Sequence, residues 1–396
     1  MTTTPLAART ERPTSVTDAA ALLRSTSGPV LIRGAGTALD WGGRVDPVDT
    51  VLETAGLSGV LTHNAGDMTA SVGAGTPLRA LNERLAADGQ FLALDPPVEE
   101  QGATVGGLLA TGDAGPLRLR YGSPRDLVIG VTLVLADGTV AHAGGHVIKN
   151  VAGYDMAKLV HGSLGTLALV AEVVVRLHPR PATSAVVAAP ADAAAATRAA
   201  LALMTSPLEP SAVEWASDGD VGRLLVRFDG PQAGVDAQAE GAAALLSREG
   251  LLPERLPEDG TRDLWRDHAA ATRGRHDELV VRLSTLPSRL ADVAVAARRS
   301  AGQAGATLSL VSSAALGLHT ARVSGPPEAQ ALAYTTLQAE ARALGASVLL
   351  RHRPEAVDAL VDPLGPPPDV APLLARIKAE FDPHGRLAPG RMRPWY

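Results

Sequence analysis

Gly144-Gly145-His146-Val147-Ile148-Lys149-Asn150-Val151-Ala152-Gly153-Tyr154-Asp155 leads to Gly162-Ser163-Leu164-Gly165-Thr166 and then to the apolar run LALVAEVVVRL at 167–177. Glycines at this density let backbone amides approach a large flat anionic ligand, because no Cβ stands in the way. The apolar run reads as a buried strand that fixes where such a ligand sits. Alone, the segment reads as a hairpin with a functionless turn, the commoner fate of a glycine pair. Two further glycine-rich loops upstream give it weight.

The nearer of these loops runs from Asp95-Pro96-Pro97 through GATVGGLLATG at 102–112 and on to RLRYGSPRD at 118–126. Gly106-Gly107, opening a short helical turn, can present N–H groups to phosphate or ribose oxygens. The alternative is an irregular Ω-loop punctuated by Gly and Pro. A stretch of roughly forty residues with little regular structure inside a compact domain favours a functional loop. The farther loop, RGAGTALDWGG at 33–43, directly follows the short strand PVLIR at 29–33. A nucleotide pyrophosphate needs several convergent N–H donors, which such a loop supplies. Thr37 adds a hydroxyl and Arg33 a compensating charge. The spacing is not the Rossmann fingerprint, because the third glycine of G-x-G-x-x-G would fall on Leu39, and no G-x-x-x-x-G-K-[ST] exists. By itself this loop is as readily a structural turn as a binding site. In the opening segment Lys149 either offsets the charge of a reduced cofactor or is simply surface-exposed, and Tyr154 reads as a half-buried packing residue.

Around these loops the pattern is mixed α and β. Residues 15–25 form a helix with Ser15 or Thr17 as N-cap, and 78–88 a helix stopped by Gly89. Strands are expected at 51–52, 59–61, 69–72, 127–135, 138–141 and 167–177, with a hairpin turn at Asp137-Gly138. Of the 40 glycines, 24 lie between Gly28 and Gly165, so the texture changes near residue 180. Beyond it, strands at 186–189, 212–215 and 224–228 alternate with helices at 191–204 and 232–250. A similar order recurs in strands at 279–283, 307–310, 320–323 and 347–350 and helices at 287–304 and 327–344. Two strand–helix–strand–strand units suggest an antiparallel sheet covered on one side by helices. PLGPPPDVAP at 363–372 reads as an extended connector before a last helix at 373–381. The expected domains are therefore 1–180, 181–362 and a closing segment 363–396 that returns to the first.

The bulk numbers exclude several classes. At 396 residues the chain exceeds one small core. A net charge of −6 argues against nucleic acid or an anionic membrane as main partner. Zero cysteines exclude disulfides, thiolate zinc sites and cysteine-ligated iron–sulfur clusters. His142 and His146 bracket a glycine turn and are not expected to hold a metal. The N-terminal residues lack a signal-peptide pattern, and no apolar run approaches the roughly 20 residues of a membrane helix. The expected location is the cytoplasm, peripheral to a membrane only through partners.

Taken in order, RGAGTALDWGG, GATVGGLLATG, RYGSPRDLVIGVTLVLADGTV and IKNVAGYDMAKLVHGSLGTLALVAEVVVRLHPRP resemble the FAD-binding domain of the vanillyl-alcohol oxidase/p-cresol methylhydroxylase (PCMH) superfamily. Within it, the chain is similar to the E-type FAD-binding subunit of bacterial glycolate oxidase. The resemblance covers 15–180, and FDPHGRLAPGRM at 381–392 resembles the family's closing segment. It implies an α+β fold, with a two-subdomain PCMH-type FAD-binding domain and a sheet-and-helix cap domain. It also implies that Arg33, Gly34, Ala35, Gly36, Thr37 and Ala38 cradle the FAD pyrophosphate. Pro96, Thr104, Gly106, Gly107 and Thr111 would line the pyrophosphate and isoalloxazine side. Gly122 and Asp126 would hold the second subdomain against the cofactor. Gly165, Thr166 and the backbone near Val170 would flank flavin or adenine, with Lys149 nearby.

Four departures qualify what the resemblance implies. Covalently flavinylated members carry His or Cys at the linking positions; the first loop has neither, so non-covalent FAD is expected. The usual Glu of G-S-E-G-T is Leu164, and the usual Asn before the terminal Pro-Gly is Ala388. The motif H-x-G-D-G-x-x-H of the catalytic paralogues is absent, which leaves the catalytic residues unassigned. The expectation is an FAD-dependent oxidoreductase acting on the CH–OH of a small 2-hydroxy acid, working with a catalytic flavoprotein subunit and an iron–sulfur subunit. Two alternatives stay open: an NAD(P)H-dependent flavin reductase on the same fold, and a non-catalytic flavin-holding scaffold.

Overall fold

The computed structural model describes residues 7–147, 153–257 and 259–396. Two compact units divide it. The first comprises the described residues of Met1–Ala114, Tyr121–Arg180 and Leu364–Tyr396; the second comprises Gly115–Arg120 and Pro181–Pro363.

The first unit holds two sheets. β1 (Ala7–Glu11), β2 (Val30–Arg33) and β3 (Val48–Glu53) form a small parallel sheet in the order β1-β3-β2. Helix α1 (Val16–Ser25) connects β1 to β2, and its N-cap is Ser15, whose hydroxyl accepts the Asp18 N–H at 3.0 Å. β4 (Val60–Asn64), β5 (Thr69–Gly73), β7 (Val128–Val134), β8 (Val140–Gly144) and β9 (Leu169–Arg176) make an antiparallel sheet in the order β4-β5-β9-β7-β8. A two-residue pairing of β6 (Gln90–Phe91) with β10 (His178–Pro179) lies apart from both.

The central position of β9 explains its apolar run. Val173 and Val175 enter one core with Leu109 and with Leu81 and Leu85 of helix α2 (Leu78–Leu85). Leu169 and Ala171 enter another with α1, Val30 and Leu52. A strand buried on both faces cannot show polar alternation. The β7–β8 hairpin turns at Asp137-Gly138, where Gly138 has φ 83°.

In the second unit, β11 (Thr183–Ala191), β12 (Ala212–Ser217), β13 (Gly222–Gly230), β14 (Glu254–Arg255), β15 (Leu279–Ser284), β16 (Thr307–Ser313), β17 (Leu318–Ser324) and β18 (Ser347–His352) build one antiparallel sheet. Their order is β14-β11-β13-β12-β16-β17-β15-β18. Helices Ala193–Met204, Gln232–Arg248, Leu290–Ala304 and Pro327–Ala343 bury their small apolar faces against it in the largest core of the chain. The opposite face carries a helix for which the sequence offers little signal, Thr261–Arg273, with Leu264 and Trp265 packed against Val186, Ala188 and Leu225. Its His268 meets Glu214 of β12 at 3.0 Å, both side chains buried. The segment Gly115–Arg120 belongs with this unit, where Arg120 Nη1 donates to the Asp229 carbonyl at 3.0 Å.

Candidate functional site

The candidate site begins at the carboxyl end of β2, the end of a parallel strand at which α/β sheets bind ligands. The chain leaves the sheet at Arg33 and enters the loop 34–43. Among the described residues, the backbone N–H groups of Ala35, Gly36, Thr37 and Ala38 find no hydrogen-bond acceptor. Gly34 sits so close to the next element that a Cβ on it would lie 2.5 Å from Thr104 Oγ1. Gly36 has φ 79°.

Thr104 is the N-cap of α3 (Val105–Thr111), and its hydroxyl accepts the Gly107 N–H at 3.2 Å. The neighbouring amides are also committed: Val105 donates to Thr76 and Gly106 to Ala74, at 3.0 and 2.8 Å. The expectation that Gly106-Gly107 presents free N–H groups is therefore corrected. Gly106 is small for packing, since a Cβ there would lie 2.6 Å from Ala74 Cβ. The third wall is the loop 162–165, which is stapled to α3 by Gly162 N–H to the Leu109 carbonyl (3.1 Å) and Leu164 N–H to the Ala110 carbonyl (2.8 Å).

Together these walls line a cleft open to solvent on one side. Of the residues expected from sequence, Gly34, Ala35, Gly36, Thr37, Ala38, Thr104, Gly106, Gly107, Thr111, Gly165 and Val170 line it. Ile32, Leu39, Thr54, Ala74, Ala110, Leu164, Ala168 and Arg391, which were not among the residues expected from sequence, complete the lining. Most of these are small or apolar, only Ile32, Thr54 and Ala110 sit inside helices or strands, and Arg391 comes from the far end of the chain.

Other expected residues stand elsewhere. Arg33 pairs with Glu53, which also binds Arg12. The side-chain bonds from Arg12 and Arg33 hold the Glu53 carboxyl below its ordinary range, so the guanidinium assigned to a ligand is engaged with a carboxylate instead. Pro96 is buried and accepts the Glu99 N–H at 3.0 Å. Gly122 and Asp126 build a local turn, in which the Asp126 carboxylate accepts the N–H and the hydroxyl of Ser123, each at 2.8 Å. Thr166 lies behind the wall: its Oγ1 donates to the Ser163 carbonyl at 2.7 Å and its own carbonyl accepts Lys378 Nζ at 2.7 Å. Lys149 lies outside the described residues. His142 and His146 each bond a threonine hydroxyl, Thr132 and Thr69.

The cleft's chemistry suits a dinucleotide with a flat ring system. Among the described residues, four unbonded amides line it, no carboxylate does, and Ile32, Leu39, Ala168 and Val170 supply apolar surface. A Cβ on Gly165 would stand in nearly open space, 4.0 Å from Ile32 Cβ, where a flat group could otherwise approach.

Residues 6–144 match a family model described as an FAD binding domain. Over these residues the chain is similar to an FAD-binding domain. Among solved structures, p-cresol methylhydroxylase with substrate bound superposes with a TM-score of 0.72 at 16% identity, covering 96% of this chain and 88% of that one. An alkyldihydroxyacetonephosphate synthase gives 0.72 at 17%, covering 96% and 75%. At such identities the likeness concerns the fold, which is of the PCMH type with an α+β cap. Among relatives in sequence, a D-lactate dehydrogenase of Archaeoglobus fulgidus is 36% identical over 182 residues, 45% of this chain and 40% of that protein. Glycolate oxidase subunit GlcE of Escherichia coli is 38% identical over 126 residues, 32% and 36% of the two chains. Glycolate oxidase subunit GlcD of Bacillus subtilis is 32% identical over 225 residues, 56% and 46%. The chain's matches thus span less than half the length of each of these relatives.

Proposed function

We propose that this chain holds FAD without a covalent tether and serves in the oxidation of a small 2-hydroxy acid, as one subunit of a glycolate-type oxidase or dehydrogenase. The observation that carries the reading is the row of unbonded amides at 35–38 along a cleft free of carboxylates among the described residues. Those amides would hold the pyrophosphate, and Ile32, Leu39 and Val170 would pack against the apolar parts of the cofactor. Bound FAD would supply the hydride acceptor, which no side chain can provide. Among the described residues no His or Cys lines the cleft, so the wall offers no group of the kind that forms a tether. The relatives named D-lactate dehydrogenase and glycolate oxidase favour an α-hydroxy acid as the electron source. Since the chain has no cysteine, electrons leaving the flavin would pass to an iron–sulfur partner or a second flavoprotein.

The test starts from the purified chain's visible spectrum. The flavin band is expected, and acid precipitation should leave FAD in the supernatant. A yellow pellet would contradict the non-covalent attachment. Glycolate and D-lactate are then added, to the chain alone and to the chain co-purified with its native partners. Bleaching in the complex supports the reading. Bleaching by NADPH, with neither acid active in either form, would move the chain to the reductase class. A colourless protein that takes up no added FAD would remove the proposal entirely.

A further inference from the structure

Arg391 lines the cleft but belongs to none of the three glycine loops. It is only 2% exposed. Its Nη1 donates to the carbonyls of Leu39 and Trp41, the latter at 2.7 Å. Its own carbonyl accepts the Gly43 N–H at 2.8 Å. The fit is close enough that a Cβ on Gly43 would lie 2.7 Å from that carbonyl oxygen. One residue therefore ties down the second half of the loop whose first half carries the unbonded amides. A planar guanidinium can serve two carbonyls from a single rigid group, which the flexible ammonium of lysine reproduces poorly. Among the described residues lining the cleft, Arg391 also carries the one charged side chain.

We infer that Arg391 is a cofactor-positioning residue: it holds loop 34–43 in the conformation that leaves the amides of 35–38 unbonded, and sets a positive charge in the wall that receives an anionic pyrophosphate. This rests on the FAD reading above. Arg393, two positions on, is the natural control, because its exposed guanidinium pairs with Asp46 outside the cleft lining.

FAD is titrated into the full-length apoprotein of wild type, R391K, R391A and R393A, with affinity read from flavin fluorescence and folding from apoprotein melting. R391A should weaken binding by at least ~30-fold, the scale for truncating one partner of a buried hydrogen-bonded charge. R391K should fall between R391A and wild type, and R393A should bind as wild type does. Methylguanidinium should restore part of the affinity of R391A without raising its melting temperature. R391A binding FAD within ~3-fold of wild type would overturn the inference while leaving the FAD reading intact. So would a loss of affinity that follows a lowered apoprotein melting temperature and does not respond to methylguanidinium. Wild type that binds no FAD would overturn the underlying reading, and this one with it.

Discussion

Gly106 and Ala110 lie four residues apart on one short helix and separate two roles that the sequence merges. A Cβ on Gly106 would strike Ala74 at 2.6 Å, with the Ala74 carbonyl at 2.9 Å, so that glycine serves packing. Ala110 is half-buried and lines the cleft. Gly106→Ala should therefore destabilise the first unit by about 1–3 kcal/mol, as overpacking does. Ala110→Phe should keep the melting temperature and lose flavin. Melting curves and flavin content measured on both variants test this, and loss of flavin with unchanged stability in Gly106→Ala would reverse the assignment. A second residue-scale prediction concerns Met68, which adopts φ 51° with 41% of its surface exposed. A left-handed conformation costs an L-residue about 1–2 kcal/mol, and glycine returns part of that gain as entropy. Met68→Gly should thus stabilise by ~0.5–1 kcal/mol, raising the melting temperature by about 1–4 °C. The two unusual residues of the family-like motifs, Leu164 and Ala388, adopt the same region, at φ 53° and 45°. That Asn is common before the closing Pro-Gly of the family makes physical sense, since Asn tolerates this conformation better than Ala.

At the scale of elements, legibility followed periodicity. β9 and the β7–β8 hairpin could be read because a continuous apolar run and an Asp-Gly turn are strong local signals. Helix Thr261–Arg273 could not, since His268 is its only fully buried residue and its remaining faces are polar or half-exposed. β1 was equally hidden: AARTE has no apolar alternation, and parallel pairing with β3 makes it a strand. The loop after β2 could be located from its glycines, but the commitment of the Val105 and Gly106 amides to Thr76 and Ala74 is tertiary and leaves no trace in a dipeptide, whereas the Thr104 cap on Gly107 is local. That commitment yields a prediction for α3 as a unit. Thr104→Ala removes the cap from Gly107 and should cost roughly 1 kcal/mol. It also removes a hydroxyl that lines the cleft. Denaturant unfolding and FAD titration of this variant should both weaken. Unchanged unfolding would show that the cap carries no stability.

At the scale of the whole molecule, the acid limit of stability should come in part from a residue in the core of the second unit. His319 of β17 is fully buried in the second unit, where Ser312 Oγ meets its Nδ1 and Thr285 Oγ1 its Nε2, each at 2.9 Å. Burial without a charged partner pushes its pKa down to about 4 from 6.5. The sign follows from proton counting. Between pH 4 and 6.5 the unfolded chain carries a proton on this imidazole and the folded chain does not. Stability due to the neutral ring is therefore complete above about pH 6.5 and is lost as the pH falls toward 4, by a total on the order of 3 kcal/mol. His319→Gln keeps an amide that can meet both hydroxyls and removes the titration. Denaturant unfolding of the two proteins at pH 7, 5.5 and 4.5 isolates the effect, because the two chains differ at this one position. The variant should be the less stable protein at pH 7 and should lose less on acidification, so that the two stabilities converge or cross. Parallel pH profiles would mean that His319 takes up its proton as readily in the folded state as in the unfolded one, and that the core of the second unit accommodates a charge its neighbours give no reason to expect.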